Sequence, residues 1–220
     1  QGIITVSAMS GGGSGTATDP YIITTADELS TIGGKENKNT YFRLGNNITV
    51  DSSFSTIEAF YGVLDGNGKT ITGVNITEKI NSNGSVTSTG RLFNTIEANA
   101  IVYNLTLDAP KLKVDYTDVA STTNSYALNR GLFVNTNKGT LNNISLVSVN
   151  VDADVEGYNE VTQSSNLTVR ELGVMVSRNS GEILNSNISG TVTARNINLF
   201  GTVAYQNLPT GTVANVVSNV

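Results

Sequence analysis

The 220-residue sequence contains no histidine, no cysteine and no tryptophan, and only 3 prolines. Without cysteine the chain has no disulfide framework and no cysteine-ligated zinc. Without histidine it has no Ser-His-Asp or Cys-His catalytic group and no His-ligated metal. A chain of this length can bury a core without such cross-links. We therefore predict no catalytic residues and a non-enzymatic protein.

Positive charge and long apolar runs are also scarce. The chain has 13 Lys plus Arg against 18 Asp plus Glu, a formal net charge of -5, and no basic stripe, so nucleic acid is excluded as a partner. No apolar run approaches the roughly 18 to 20 residues of a membrane helix, which predicts no membrane insertion. Small polar residues are abundant instead, with 28 Asn, 28 Thr, 21 Ser and 22 Gly. This composition is typical of an all-β protein with many tight turns.

The first 40 residues differ from the rest of the chain. Residues 1–6 predict a short strand, and Gly11-Gly12-Gly13-Ser14-Gly15 predicts a flexible turn. Thr25 to Ile32 predicts a short helix, with Thr25 as N-cap and Glu28 at the spacing of a capping box. We therefore divide the chain into an N-terminal region, 1–40, with a strand, a turn and a capping helix, and a repeat region, 41–220.

The repeat region contains four copies of one pattern, a Gly-apolar segment followed by an apolar-x-Asn segment. The Gly-apolar segments are Gly90-Arg91-Leu92-Phe93, Gly131-Leu132-Phe133, Gly173-Val174-Met175-Val176 and Gly201-Thr202-Val203-Ala204. Successive copies lie 40 residues apart (Leu92 to Leu132), then 42 (Gly131 to Gly173), then 28 (Gly173 to Gly201). Such unequal spacing predicts variable loops at one point of the repeat, over 78–89, 111–129 and 152–170.

Short strands of this kind bury a core only when successive units stack, which predicts a β-solenoid. The residues predicted to point inward are Leu92, Phe93, Ile101, Leu105, Leu132, Phe133, Leu141, Ile144, Val174, Val176, Ile183 and Ile188. The residues predicted at the corners, where Asn tolerates left-handed backbone angles, are Asn104, Asn143, Asn185, Asn187 and Asn215.

These repeats resemble the GLUG-motif family of bacterial surface adhesins and the non-catalytic N-terminal regions of IgA-cleaving metallopeptidases. Gly131-Leu132-Phe133-Val134 and Leu172-Gly173-Val174-Met175-Val176 carry the motif, without its fourth-position Gly. Phe60 to Ile71 resembles the opening coil of such proteins, and Gly15 to Ile23 with the following helix resembles their N-terminal end-piece. The resemblance implies a right-handed parallel β-helix, or solenoid, with a short N-terminal capping helix, displayed outside the cell.

Candidate binding residues fall mainly in the predicted loops. Asp115, Asp118, Asp152 and Asp154 could form a stacked acidic patch that binds calcium or, with Arg130 or Lys113, cleaves an acidic polysaccharide. A solvated acidic rim is the alternative. Tyr116, Tyr126 and Tyr158 could stack on sugar rings or pack onto the solenoid. Asp65-Gly66-Asn67-Gly68 lacks the terminal Glu of a calcium loop, so it predicts a turn in which Asp65 caps its own backbone.

Together these features predict an extracellular or cell-surface β-helical adhesin module that needs no cofactor and presents loops to a glycan or another host or cell-surface ligand. Two alternatives are a polysaccharide-active β-helix lyase or hydrolase and a structural subunit that stacks end to end. The repeat pattern still runs at Val220, where no capping element follows. This predicts that the repeats continue beyond the chain end, or that another subunit or another part of the same molecule covers it.

Overall fold

The structure is a computed structural model that describes residues 9–80, 86–115, 127–154, 169–195 and 199–220. It belongs to the all-β class, as the composition predicts, and most of its strands pair in parallel. The helical elements of the described residues are α1, Ala26–Ser30, and a 3-10 turn, Lys35–Asn37. Neither is long enough to cross a membrane, and no described helix is. The strand predicted over residues 1–6 lies outside the described residues.

The largest sheet has 14 strands and contains both straight and bent segments. Its strands are β1 (Tyr21–Ile23), β2 (Tyr41–Leu44), β3 (Ile48–Thr49), β5 (Val63–Asp65), β6 (Thr70–Thr72), β7 (Asn75–Ile80), β8 (Val86–Thr89), β10 (Ile101–Asp108), β11 (Lys111–Asp115), β14 (Thr140–Asp154), β17 (Glu182–Leu184), β18 (Asn187–Arg195), β21 (Thr212–Ala214) and β22 (Val217–Asn219). The pair β7–β8 is antiparallel, whereas every other described strand pair is parallel.

Two smaller parallel sheets complete the architecture. The five-stranded sheet contains β4 (Ile57–Phe60), β9 (Phe93–Ile96), β13 (Val134–Asn137), β16 (Val176–Asn179) and β20 (Ala204–Asn207), paired in chain order. The three-stranded sheet contains β12 (Ala127–Arg130), β15 (Val169–Gly173) and β19 (Leu199–Gly201), also in chain order. Each strand of the repeat region therefore pairs with its equivalent in the next copy, as in Val134 with Val176 and Val176 with Ala204.

The interior contains the apolar residues that the repeats predict, with one exception. Eleven of the twelve predicted inward residues are buried, and Ile101 is 36% exposed. Ile101 is preceded and followed by apolar residues, so the alternation of apolar and polar residues does not show which of them points inward. Val102 takes the inward position, in register with Leu64 and Leu141. The prediction for Ile101 was therefore wrong by one residue.

A column of aromatic rings runs through the core. Centroid distances are 6.0 Å from Tyr21 to Phe42, 6.3 Å from Phe42 to Phe60, 5.8 Å from Phe60 to Phe93 and 5.6 Å from Phe93 to Phe133. All four contacts are tilted, an arrangement that aromatic quadrupoles favour. Four of the rings come from the strands β1, β2, β4 and β9, and Phe133 immediately precedes β13, so the column joins successive passes of the chain into one core.

Asparagines occupy the corners of the 14-stranded sheet with left-handed backbone angles. Asn104, Asn143, Asn185 and Asn215 have φ values of 55°, 54°, 51° and 53°. Their side chains also bridge neighbouring copies, because Asn143 Nδ2 donates to Asn104 Oδ1 at 2.8 Å and Asn215 Nδ2 donates to Asn185 Oδ1 at 2.7 Å. The corner prediction is confirmed for these four. It was wrong for Asn187, which lies in β18 and donates to Ser145 Oγ at 2.9 Å.

A second, buried asparagine ladder runs along the ends of β13, β16 and β20. Asn137 Nδ2 donates to Asn179 Oδ1, and Asn179 Nδ2 donates to Asn207 Oδ1, both at 2.8 Å. Asn137 and Asn179 are fully buried. Each also donates to backbone carbonyls at the tight turn that follows, including Gly139 and Gly181 at 3.3 and 3.2 Å. The ladder therefore satisfies polar backbone groups that the turns leave inside the protein.

The N-terminus of helix α1 is capped by Thr25, as predicted, but the Glu28 side chain bonds to residues other than Thr25. Thr25 Oγ1 accepts from Glu28 N at 3.2 Å, whereas the Glu28 carboxylate accepts from Thr24 N at 2.7 Å and from Ser10 N at 2.8 Å. Burial acts to raise the pKa of Glu28, but hydrogen bonds from Ser10 and Thr24 outweigh it and lower this pKa to about 2. Glu28 therefore ties the segment before β1 to the helix. The role of α1 as a cap stays a prediction.

The last pass of the chain forms one open edge. Strands β19, β20, β21 and β22 each have one partner strand among the described residues. Large apolar side chains are exposed here, with Phe200 at 44%, Val213 at 40% and Val217 at 55%. This edge carries no charged side chain over residues 199–220.

Candidate functional site

The unequal connections of the repeat all leave the sheets in one region. After the corner asparagines the strands bend again at Gly73, Ala109, Ser148 and Gly190, where φ is 89°, 50°, 54° and 141°. Beyond this bend run β7, β11 and the carboxyl halves of β14 and β18. The chain returns through β8, β12, β15 and β19. We call these strands the loop lobe, because segments 81–85, 116–126, 155–168 and 196–198 connect them.

The register of the loop lobe brings three of the four predicted acidic residues to neighbouring positions. Asp115 is the Cα partner of Asp154 in the adjacent parallel strand, and Asp152 lies two positions earlier in β14, where its side chain is exposed. The fourth, Asp118, lies outside the described residues. Asp115, Asp152 and Asp154 thus lie in strands and not in the predicted loops, and the acidic patch stays a prediction.

Basic residues flank these acids in register. Lys79 is the Cα partner of Asp115, Lys113 that of Asp152, and Arg195 that of Asp154. Lys113 and Asp152 are both exposed, and opposite charges on adjacent strands attract one another. Within the described ranges, no group of three or more Asp, Glu, His or Cys side chains could hold a metal ion. The calcium site stays a prediction.

The tyrosines predicted to stack on sugar rings, Tyr116, Tyr126 and Tyr158, all lie outside the described residues. Their neighbours in the chain nevertheless fix where these segments begin. Tyr116 follows the end of β11, and Tyr126 immediately precedes β12. Both tyrosines therefore belong to the connection between the two sheets of the loop lobe.

The structure adds a buried polar cluster that the sequence did not predict. Glu78 lies in an inward position of β7 and is 1% exposed, with Val114 of β11 in register beside it. Its Oε1 accepts from Ser88 Oγ at 2.6 Å and from Arg130 Nε. Oε2 is buried and has no hydrogen-bond partner among the described residues. The alternation of Val74, Ile76 and Glu78 was the one sequence signal for this inward carboxylate.

Arg91 and two asparagines extend this cluster along the wall of the core. Arg91 Nη1 donates to Asn94 Oδ1 at 3.2 Å, and Asn135 Nδ2 donates to the same oxygen at 2.8 Å. Burial lowers the pKa of Arg91 from its usual value, and the nearby Arg130 acts in the same direction. Because the Glu78 carboxylate accepts from Ser88 and from Arg130, the cluster joins β7 and β8 to β12. It fixes the base of the loop lobe.

The turn at Asp65 forms as predicted. Asp65 Oδ1 accepts from Asn67 N at 2.7 Å, and Asn67 has a left-handed φ of 53°. Asp65 Oδ2 accepts from Arg43 Nε at 3.0 Å on the neighbouring strand. The Asp65 carboxylate is therefore held on both oxygens.

A small open cleft of about 130 Å³ lies beside α1. Its polar lining includes Asp27, Ser30 and Asp51. Hydrogen bonds from the Ser53 side chain and backbone lower the pKa of Asp51, whose carboxylate closes its own turn.

In comparison with known proteins, no protein-family model, no curated protein and no solved structure matches this chain. The resemblance to the GLUG-motif family therefore stays a prediction.

Proposed function

We propose that the chain is a right-handed parallel β-solenoid that works without catalysis, as a rigid extracellular scaffold presenting the two long connections of its loop lobe, 116–126 and 155–168, to a glycan or another surface ligand. Parallel pairing of each strand with its equivalent in the next copy supports the solenoid. Crossovers between parallel strands are right-handed in about 98% of cases, which supports the handedness that the GLUG resemblance implies.

The observation that carries the function is the position of the unequal connections. Between β11 and β12 the chain runs through 116–126, and between β14 and β15 through 155–168, whereas the other turns of these copies are short. A stacked core with chain length added at one region is a common way to place binding segments on a rigid support. The bend and the Glu78–Arg130 contact hold the strands that carry these connections.

Replacement of the connections tests this proposal. Variants in which 116–126 or 155–168 is exchanged for a short Gly-Asn turn should lose at least one arrayed glycan or cell-surface ligand that the intact chain binds. Their melting temperature should stay near that of the intact chain, because connection length changes loop-closure free energy only slowly. Exchange of 81–85, which links the antiparallel pair β7–β8, is the matched control. If every ligand of the intact chain is still bound after both exchanges, the proposal is contradicted.

The same preparations separate the scaffold from the enzyme alternative. Reducing-sugar and unsaturated-product assays with acidic and neutral polysaccharides, with and without calcium, should show no turnover. Turnover that is lost in Asp152→Asn, but kept in the exposed control Asp51→Asn, would support a polysaccharide lyase or hydrolase instead.

A second candidate function, association of two copies, has its own observation. The open edge formed by β19 to β22 exposes Phe200, Val213 and Val217 and carries no charged side chain. Soluble proteins usually protect such edges with charges. Two identical uncharged edges can pair without like-charge repulsion, although each copy carries a net charge of -5. Sedimentation velocity should show a concentration-dependent dimer that Val217→Lys abolishes. A monomer at high concentration would contradict this function.

A further inference from the structure

One part of the outer surface combines apolar and fixed polar side chains. On the outward side of β2, β5 and β10, one row contains Tyr41, Val63 and Ile101 in register. The row two positions further along the same strands contains Arg43, Asp65 and Tyr103. We call these six residues the Tyr41–Tyr103 patch. It lies on well-formed strands and uses none of the connections of the loop lobe.

Ile101 marks this surface as unusual. The large apolar side chains that are exposed in the described residues are Ile101 and four residues of the open edge, Phe200, Val213, Val217 and Val220. Of these five residues, Ile101 is the one in a strand that pairs on both sides, with Val63 on one neighbouring strand and Thr140 on the other. Exposed apolar surface beside convergent polar groups is typical of ligand sites.

The polar row is already held in one geometry. Asp65 accepts from Asn67 N and Arg43 Nε, and Tyr103 is the Cα partner of Asp65 on the neighbouring strand. Burial and the Asp65 charge raise the pKa of Tyr103 above its usual value, so the phenol stays protonated at neutral pH. Because these side chains are fixed before a ligand arrives, less rotamer freedom is lost on binding.

Arg43 provides the free donors of the patch. A guanidinium has five N–H groups, and Arg43 contacts Asp65 through Nε. The Arg43 side chain is 43% exposed, so its two Nη groups can reach a ligand. Asp65 balances the Arg43 charge, and the paired groups therefore favour a neutral ligand with hydroxyl oxygens over an anion.

We propose that the Tyr41–Tyr103 patch binds a neutral pyranose glycan, with a sugar face on Val63 and Ile101 and hydroxyl groups on Arg43 and Tyr103. Three adjacent strands span about 10 Å, and alternate residues of a strand lie about 7 Å apart, an area that suits one or two sugar rings. A protein partner needs about 800 Å² per side, whereas this row continues into the polar residues Thr140 and Glu182.

Binding of defined oligosaccharides to the full chain tests the proposal. Saturation-transfer NMR and calorimetry would use maltohexaose, cellohexaose, chitohexaose and mannohexaose, with hexagalacturonate as the acidic comparator. At least one neutral oligosaccharide should bind, and Ile101→Thr and Arg43→Gln should each weaken it at least fivefold. Thr212→Ala, in the same outward row but away from the patch, should bind as the wild type does.

Several outcomes would overturn the proposal. They are no binding by any neutral oligosaccharide, binding of hexagalacturonate alone, and binding that the patch variants leave unchanged. Exchange of 116–126 or 155–168 should not affect this site, so its result is separate from that of the scaffold proposal. If a patch variant does not fold, the site is located in the wild-type chain from the amide chemical-shift changes that the oligosaccharide causes. These changes should centre on Val63, Ile101 and Tyr103.

Discussion

Replacement of Asn179 by alanine should show how much the buried asparagine ladder stabilises the protein. Asn179 is fully buried, accepts from Asn137 Nδ2 at 2.8 Å and donates to Asn207 Oδ1 at 2.8 Å. It also donates to Gly181 O and Thr212 O, both at 3.2 Å. A buried hydrogen bond contributes about 1 kcal/mol, and each partner left unsatisfied adds to the cost. Asn179→Ala should therefore lower the free energy of unfolding by about 2 to 4 kcal/mol.

The matched control for this experiment is Asn207→Ala, at the exposed end of the same ladder. Asn207 accepts from Asn179 and donates to Gly211 O at 2.9 Å, and water can replace both contacts. Its loss should cost about 1 kcal/mol or less in urea unfolding followed by circular dichroism. The double variant Asn137→Ala/Asn179→Ala should show a coupling energy above about 0.5 kcal/mol. Equal costs for Asn179→Ala and Asn207→Ala would refute the argument that burial makes the ladder important.

Three further predictions concern the core, the loop lobe and the N-terminal segment. Phe133→Ala should cost about 3 to 5 kcal/mol in urea unfolding, because it removes the last ring of the aromatic column; a cost below 1 kcal/mol would contradict this. Arg130→Met should cost about 3 to 5 kcal/mol because it leaves Glu78 buried without its cation, and adding Glu78→Leu should recover most of the loss. The pKa of Glu28 is lowered to about 2, so its stabilising contribution is complete above about pH 4.5 and lost as the pH falls toward 2. The difference in unfolding free energy between wild type and Glu28→Gln should therefore vanish across that range, and a difference independent of pH would contradict this assignment.

The sequence predicted the inward rows and the corners because both follow local rules. A strand with one buried face alternates with a period of two, and Asn tolerates positive φ, so Leu141, Ile144 and Asn143 could be placed without coordinates. Ile101 was misplaced where consecutive apolar residues left the alternation ambiguous. Asn187 was misplaced because its position beside inward residues also fits a strand.

The contacts that hold the loop lobe could not be predicted for a different reason. Glu78 and Arg130 are 52 residues apart, and their meeting depends on how two sheets face one another. The buried ladder is formed by Asn137, Asn179 and Asn207, three of 28 asparagines, and nothing in their local sequence separates them from exposed ones. Such pairings depend on the register between strands of neighbouring copies. Because the connections differ in length, sequence spacing does not reveal this register.

The arrangement of polar residues explains how this chain can vary its connections without losing its fold. The inward rows and the two asparagine ladders are shared between neighbouring copies, so each copy is stabilised by contacts outside its own connection. A longer connection adds only the slowly increasing free energy of loop closure, about 0.6 kcal/mol for each doubling of its length. The Glu78–Arg130 cluster stabilises the base of the loop lobe against that cost. If the proposed function holds, substitutions within 116–126 and 155–168 should therefore change ligand binding, whereas substitutions at Asn179 or Phe133 should change the stability of the fold.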